Sequence, residues 1–132
     1  MNNGLKQLIM QGRQTKVYEI YGHSWEMKVL DAKTHIEATS SISVDLQLAL
    51  KISILSRAII KVDGDEVDSV VSMSQSLQLL PVAIIDGLYK RYEMFLENQH
   101  SYLEKMKHEI KQIIDEDKQI INFKQYKEGI YK

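Results

Sequence analysis

The rhythm of hydrophobic and polar positions changes repeatedly along this chain, and each change marks an element. Residues 1–15 are polar and carry Gly4 and Gly12, which predicts a flexible N-terminal arm with one helical turn around Leu5 to Met10. From Lys16 to Leu30 the residues are β-branched or aromatic (Val17, Tyr18, Ile20, Tyr21, Trp25, Met27, Val29) and are interleaved with Glu19, Glu26 and Lys28 across Gly22-His23. That pattern predicts two strands joined by a tight glycine turn, with Trp25, Met27 and Val29 on one face that a helix must cover.

Asp31 is an N-cap for a short helix over about 32–40, weakened by Thr34, Thr39 and Ser40. Ser43 or Asp45 can cap the next element. From Leu46 to Ile60 apolar side chains surround the helix on most sides, so this segment is expected to be the buried central helix, with Lys51 and Arg57 reaching solvent along their aliphatic stems. Val62-Asp63-Gly64-Asp65-Glu66-Val67 then reads as a turn with short extended flanks, because Asp-Gly supplies positive φ. A short helix over 72–80 follows, and Pro81 is placed to open the last helix, where its missing N–H costs nothing.

After Pro81 the spacing alternates between three and four. Ile85, Tyr89, Tyr92, Leu96, Gln99, Leu103, Met106, Ile110 and Ile113 form a heptad seam in which only Gln99 is polar, and Leu88, Phe95 and Tyr102 widen it in its first half. A helix from about Pro81 to Asp117 would be roughly 50 Å long, against a radius of gyration of about 14 Å for a compact chain of this size. The distal turns are therefore expected to project, with an exposed apolar stripe that marks a site of association. The division that follows is an arm over 1–15, a globular domain over 16–98, and a projecting helix and tail over 99–132. In the tail, Phe123, Tyr126, Ile130 and Tyr131 stand among lysines. The fold class expected is α+β and mainly α: an N-terminal β-hairpin packed on a buried central helix, followed by a long heptad-patterned C-terminal helix.

Composition narrows the function. The chain has 132 residues, 44% hydrophobic and 27% charged, which suits a single domain with a core. Its 17 basic and 18 acidic side chains leave a formal net charge of −1, without the positive footprint that binding nucleic acid requires. Cysteine is absent, which removes disulfides, thiolate metal sites and cysteine nucleophiles. No apolar run reaches the ~20 residues of a membrane span, so the protein is expected to be soluble, with neither signal peptide nor membrane association.

Candidate chemistry is sparse. Glu97, His100, Glu104 and His108 share a helix face, but a di-iron bundle needs a second Glu-x-x-His, and solvated charges are the plainer reading. Asp63, Asp65, Glu66 and Asp68 cluster, yet a calcium loop of the EF-hand type needs Gly sixth and Glu twelfth; here Gly64 is second and Ser74 twelfth. Trp25 and the tyrosines lack the basic stripe of a base-stacking platform. No catalytic residue, cofactor or metal ligand is assigned, and the protein is not expected to be an enzyme.

Several segments together resemble the tail assembly chaperones of long-tailed bacteriophages. They are the strand pair 16–30 with Tyr21-Gly22-His23, the apolar helix running into Ile-Lys-Val-Asp-Gly-Asp-Glu-Val at 60–67, and Leu79-Leu80-Pro81 followed by Ile85-Asp86-Gly87-Leu88-Tyr89 and Tyr92. The likeness covers about residues 16–98. It implies a small, mainly helical protein of the host cytoplasm that associates with itself and with the tape measure protein, shields that protein's helices, and recruits tail tube subunits. The residues expected to meet a partner are Leu96, Leu103, Met106, Ile110 and Ile113. The alternative is a structural tail or baseplate hub subunit that stays in the virion and uses the same helix as a permanent bundle element.

Overall fold

A computed structural model describes residues 1–43 and 45–127, with side chains as far as residue 105. The chain is α+β and mainly α, in the order α1 (Asn3–Gly12), β1 (Thr15–Ile20), β2 (His23–Lys28), α2 (Ala32–Thr39), α3 (Gln47–Ala58), β3 (Ile59–Val62), β4 (Asp65–Glu66), α4 (Val70–Gln78) and α5 (Val82–Lys127). It divides into two compact units, Met1–Leu96 and Glu97–Lys132. No helix among the described residues is long and apolar enough to cross a membrane.

The strands form one antiparallel sheet in the order β1-β2-β3-β4. Each hairpin turns on a pair of residues with positive φ, Tyr21 (56°) with Gly22 (78°) and Asp63 (51°) with Gly64 (84°), the backbone of tight two-residue loops that match the twist of the strands. The first turn lies one residue earlier than Gly22-His23. A tertiary contact accompanies the unusual φ of Tyr21: its hydroxyl donates to the Ala83 carbonyl at 3.4 Å and occupies the space a Cβ on Gly87 would need. The two hairpins are also not separate pieces. Trp25 pairs with Val62 and Met27 with Ile59 across a bulge at Glu26/Met27, a connection between distant segments that local alternation does not encode.

The central helix is shorter than the sequence suggests. α3 stops at Ala58, and Ile59 is extended (φ −78°, ψ 118°); the β-branched pair Ile59-Ile60 goes to the sheet, where it fits a pleated, half-buried surface. Neither Ser43 nor Asp45 caps α3: Leu46 is the cap residue and makes no side-chain cap bond. Asp31 caps α2 as expected, accepting from Thr34 N at 2.8 Å; Ser69, not singled out in the sequence, accepts from Ser72 N at 3.0 Å, so that α4 starts two residues ahead of the predicted 72–80 helix. At the N-terminus, the single turn expected is a ten-residue helix, because Asn2 accepts from Gly4 N and Leu5 N and satisfies two of the donors a helix start leaves open.

The core is built from both layers. Met27, Leu55, Ile59, Leu77, Ile85 and Leu88 are fully buried, and Trp25, Ile54, Met73, Tyr92 and Phe95 belong to the same cluster. Trp25 and Met27 do fall on the covered face of β2, as the two-residue period requires, and Val29 packs at the edge of the same core. The start of α5 lies on this face: Tyr92 Oη accepts from Leu30 N at 3.4 Å, and Phe95 meets Tyr18 edge-on at 6.2 Å.

Candidate functional site

The first four turns of α5 show which ladder of the seam is internal. Ile85, Leu88, Tyr92 and Phe95 are buried, Tyr89 is half-buried, and Leu96 is 45% exposed. The two possible ladders, 85-88-92-95 and 85-89-92-96, share Ile85 and Tyr92. The first belongs to the buried core, with Phe95 on Tyr18 of β1 and Tyr92 bonded to Leu30, so Leu88 and Phe95, expected only to widen the seam, are its centre. Leu96 is consequently left on the open side. Beyond it, Tyr102 is exposed, Leu103 is half-buried and Gln99 is buried. Met106, Ile110 and Ile113 belong to α5 but lie outside the described side chains, as does the tail from residue 128 onward.

Polar contacts fix the start of α5 in orientation. Lys51 on α3 reaches Asp86 at 2.9 Å and stands 5.6 Å from the centroid of the Tyr89 ring. Burial pushes the Tyr92 hydroxyl above the ordinary phenol range, opposed by its hydrogen bond from Leu30. Burial also raises Tyr89, and the nearby Glu93 adds to the effect. Tyr18 is raised by burial against the pull of Arg91, and its buried hydroxyl has no hydrogen-bond partner among the described residues.

The acidic turn is structural. Asp63 accepts from Ser24 N at 2.9 Å and from His23 Nδ1 at 2.7 Å, which joins the turn of the second hairpin to the start of β2. The Ser24 amide, and after it the His23 ring, hold the Asp63 carboxyl below its ordinary range. Asp65, Glu66 and Asp68 remain exposed beside it. Of the suspected metal face, Glu97, His100 and Glu104 are exposed and His108 lies outside the described side chains; no three potential ligands come together among the described residues.

Two further surfaces escaped the sequence reading. The first is a groove of about 690 Å³ between α3 and α4, lined on its apolar side by Ile42, Leu48, Ile52, Val70 and Val71. It exists because the N-terminal half of α3 is open: Leu46 and Leu48 are exposed, contrary to a central helix buried on most sides, and only the turns from Ile54 onward are enclosed. Arg57 lies in the groove and donates to the Ser53 carbonyl and hydroxyl, each at 2.9 Å. The second is α1, in which no residue is buried and Leu5, Leu8 and Ile9 face solvent. The signals for both were present, as Val70-Val71 beside an apolar helix and as Asn2 ahead of a three-and-four spacing; what was missing was any sign of which faces the fold leaves uncovered. No family model, curated protein or solved structure matches the chain.

Proposed function

We propose that this protein is a tail assembly chaperone of the long-tailed phage type, non-catalytic, which binds the tape measure protein and tail tube subunits in the host cytoplasm through an apolar face of α5. The observation that carries the reading is the form of α5: it stays helical over 46 residues, with Leu96 and Tyr102 exposed on its described part. An amphipathic helix that leaves leucine and tyrosine open to water is a surface of the kind other helices pack against. The partner-binding residues of this reading are Leu96 and Leu103, together with Met106, Ile110 and Ile113 from the spacing alone.

Co-expression with a phage tape measure protein tests it. The chain should keep that protein soluble and co-purify with it, and should be missing from purified virions. A tape measure protein that stays insoluble beside abundant chain would contradict chaperoning. Presence in virions at fixed stoichiometry would make the chain a structural subunit of the tail or baseplate hub instead.

A further inference from the structure

The two edges of the sheet are unlike. β4, at one edge, is two residues long and acidic at both, and short, charged edges do not recruit further strands. β1, at the other, runs for six residues, keeps an unbroken register with β2, and carries one acid, Glu19, and one base, Lys16. Neither its length nor its composition closes it to a further strand.

The first hairpin decides which main-chain groups of β1 point away from the sheet. Its two-residue loop makes Ile20 and His23 a hydrogen-bonded pair, and bonded pairs alternate along an antiparallel ladder. Lys16, Tyr18 and Ile20 therefore bond to β2, while Thr15, Val17 and Glu19 turn their N–H and C=O groups outward. The far side of β2 shows the same alternation. Ser24, opposite Glu19, accepts from Asp63 N at 2.8 Å through its carbonyl and donates from its amide to Asp63 Oδ1 at 2.9 Å, so its main chain faces away from β1. Among the described residues no backbone bond reaches the outward groups of Thr15, Val17 or Glu19, and all three side chains are exposed.

A row of alternating donors and acceptors is matched by another extended strand, and β1 itself fits. Its outward groups allow three symmetric antiparallel registers between two copies. One sets Lys16 directly on Lys16, and another sets Val17 on Glu19 and Ile20 on Lys16. The third, centred on Val17, opposes Val17 with Val17, Thr15 with Glu19, and Lys16 with Tyr18, a ring that Lys16 already covers within the chain at 5.2 Å. This register alone uses all three outward residues of both strands, for about six bonds, and it opposes no like charges. The nearest like charges, the two Lys16 side chains, become diagonal neighbours ~7–8 Å apart.

We infer that β1 is a self-recognition edge, to which a second copy of this chain adds its own β1 antiparallel about a two-fold axis at Val17, joining the two sheets into one. Size sets the character of the pair. A strand ~20 Å long with an edge ~10 Å deep buries roughly 200 Å² a side, well under the ~800 Å² per partner of a stable complex. The dimer is therefore reversible and forms at high protein concentration. It is separate from the α5 seam and stands or falls without it.

Val17 is the residue that meets its own copy, and it is 53% exposed, so a charge placed there acts on the pair rather than on the fold. In the full-length chain carrying Leu103→Asp and Ile110→Asp, which silence the seam, sedimentation should show a concentration-dependent dimer. Adding Val17→Asp or Val17→Lys should weaken that dimer by about fivefold or more, since like charges then stand directly opposite. An equimolar mixture of the two should pair again as a heterodimer. In the unaltered chain, hydrogen exchange at the Thr15, Val17 and Glu19 amides should slow as concentration rises, while the Lys16, Tyr18 and Ile20 amides are slow throughout. A chain monomeric at every concentration, a dimer indifferent to both charges, a mixture that pairs no better than its components, or outward amides whose exchange ignores concentration would overturn the proposal.

Discussion

α1 and the opening turns of α5 carry the same kind of pattern and have opposite fates. Leu8 sits on the apolar face of α1 and is 58% exposed, while Leu88 sits on that of α5 and is 0% exposed. Both faces follow from three-and-four spacing, and both helices form. The difference is what lies opposite: Leu88 belongs to the buried core cluster, and no residue of α1 is buried at all. Periodicity specifies a helix and its apolar face, and tertiary placement alone decides whether that face is core or contact surface.

The comparison can be broken directly at those two leucines. Leu88→Ala should cost about 2–5 kcal/mol, because it leaves a cavity in a core that relaxes only in part. Leu8→Ala should stay within about 0.5 kcal/mol, as for surface positions generally, when urea unfolding is followed at concentrations where the chain is monomeric. Equal losses at both sites would mean that α1 is packed after all.

Capping sharpens the same contrast. Ser69→Ala removes the cap of α4, a helix that buries Met73 and Leu77, and should lower global stability by about 1 kcal/mol. Asn2→Ala removes an equivalent cap from α1. It should leave the global melt in place and speed hydrogen exchange at the Gly4 and Leu5 amides, the effect expected of a helix whose opening is local.

These elements also show how far the residues could be read. The helices, the Asp-Gly turn and the covered face of Trp25 and Met27 were legible because each is encoded by neighbours within a turn or a pleat. The pairing of β2 with β3 was not, since it joins segments more than thirty residues apart through a bulge. Ile59 and Ile60 continued an apolar helix pattern equally well, and their assignment to β3 depends on that non-local pairing. At the candidate site the seam was legible as a stripe, but the choice between Leu88 with Phe95 and Tyr89 with Leu96 was not, because both ladders share Ile85 and Tyr92. The groove is not legible for a related reason: a helix apolar on most sides reads as buried on most sides, whereas Leu46 and Leu48 are open.

Smaller effects are expected where polar contacts join helices and turns at the surface. Lys51→Met with Asp86→Asn, measured as a double-mutant cycle, should give a coupling of about 0.2–1 kcal/mol, since both side chains are partly exposed. A pH titration of the melting temperature probes the Asp63 turn. Its carboxyl is held below the ordinary range in the folded chain, so its contribution is complete above the unfolded value of about 3.9 and is lost as pH falls through the lower folded value. Asp63→Asn should flatten the melting curve across that acidic window, with little change near neutrality.

The most direct test of the account lies on α5. The double variant Leu103→Asp with Ile110→Asp, assayed for co-purification with a tape measure protein alongside its thermal melt, should lose the partner and keep the melting temperature of the wild type. A collapse of the melt would show that the seam is internal packing, and retained binding would show that the partner is held elsewhere; either result contradicts a docking face on this helix.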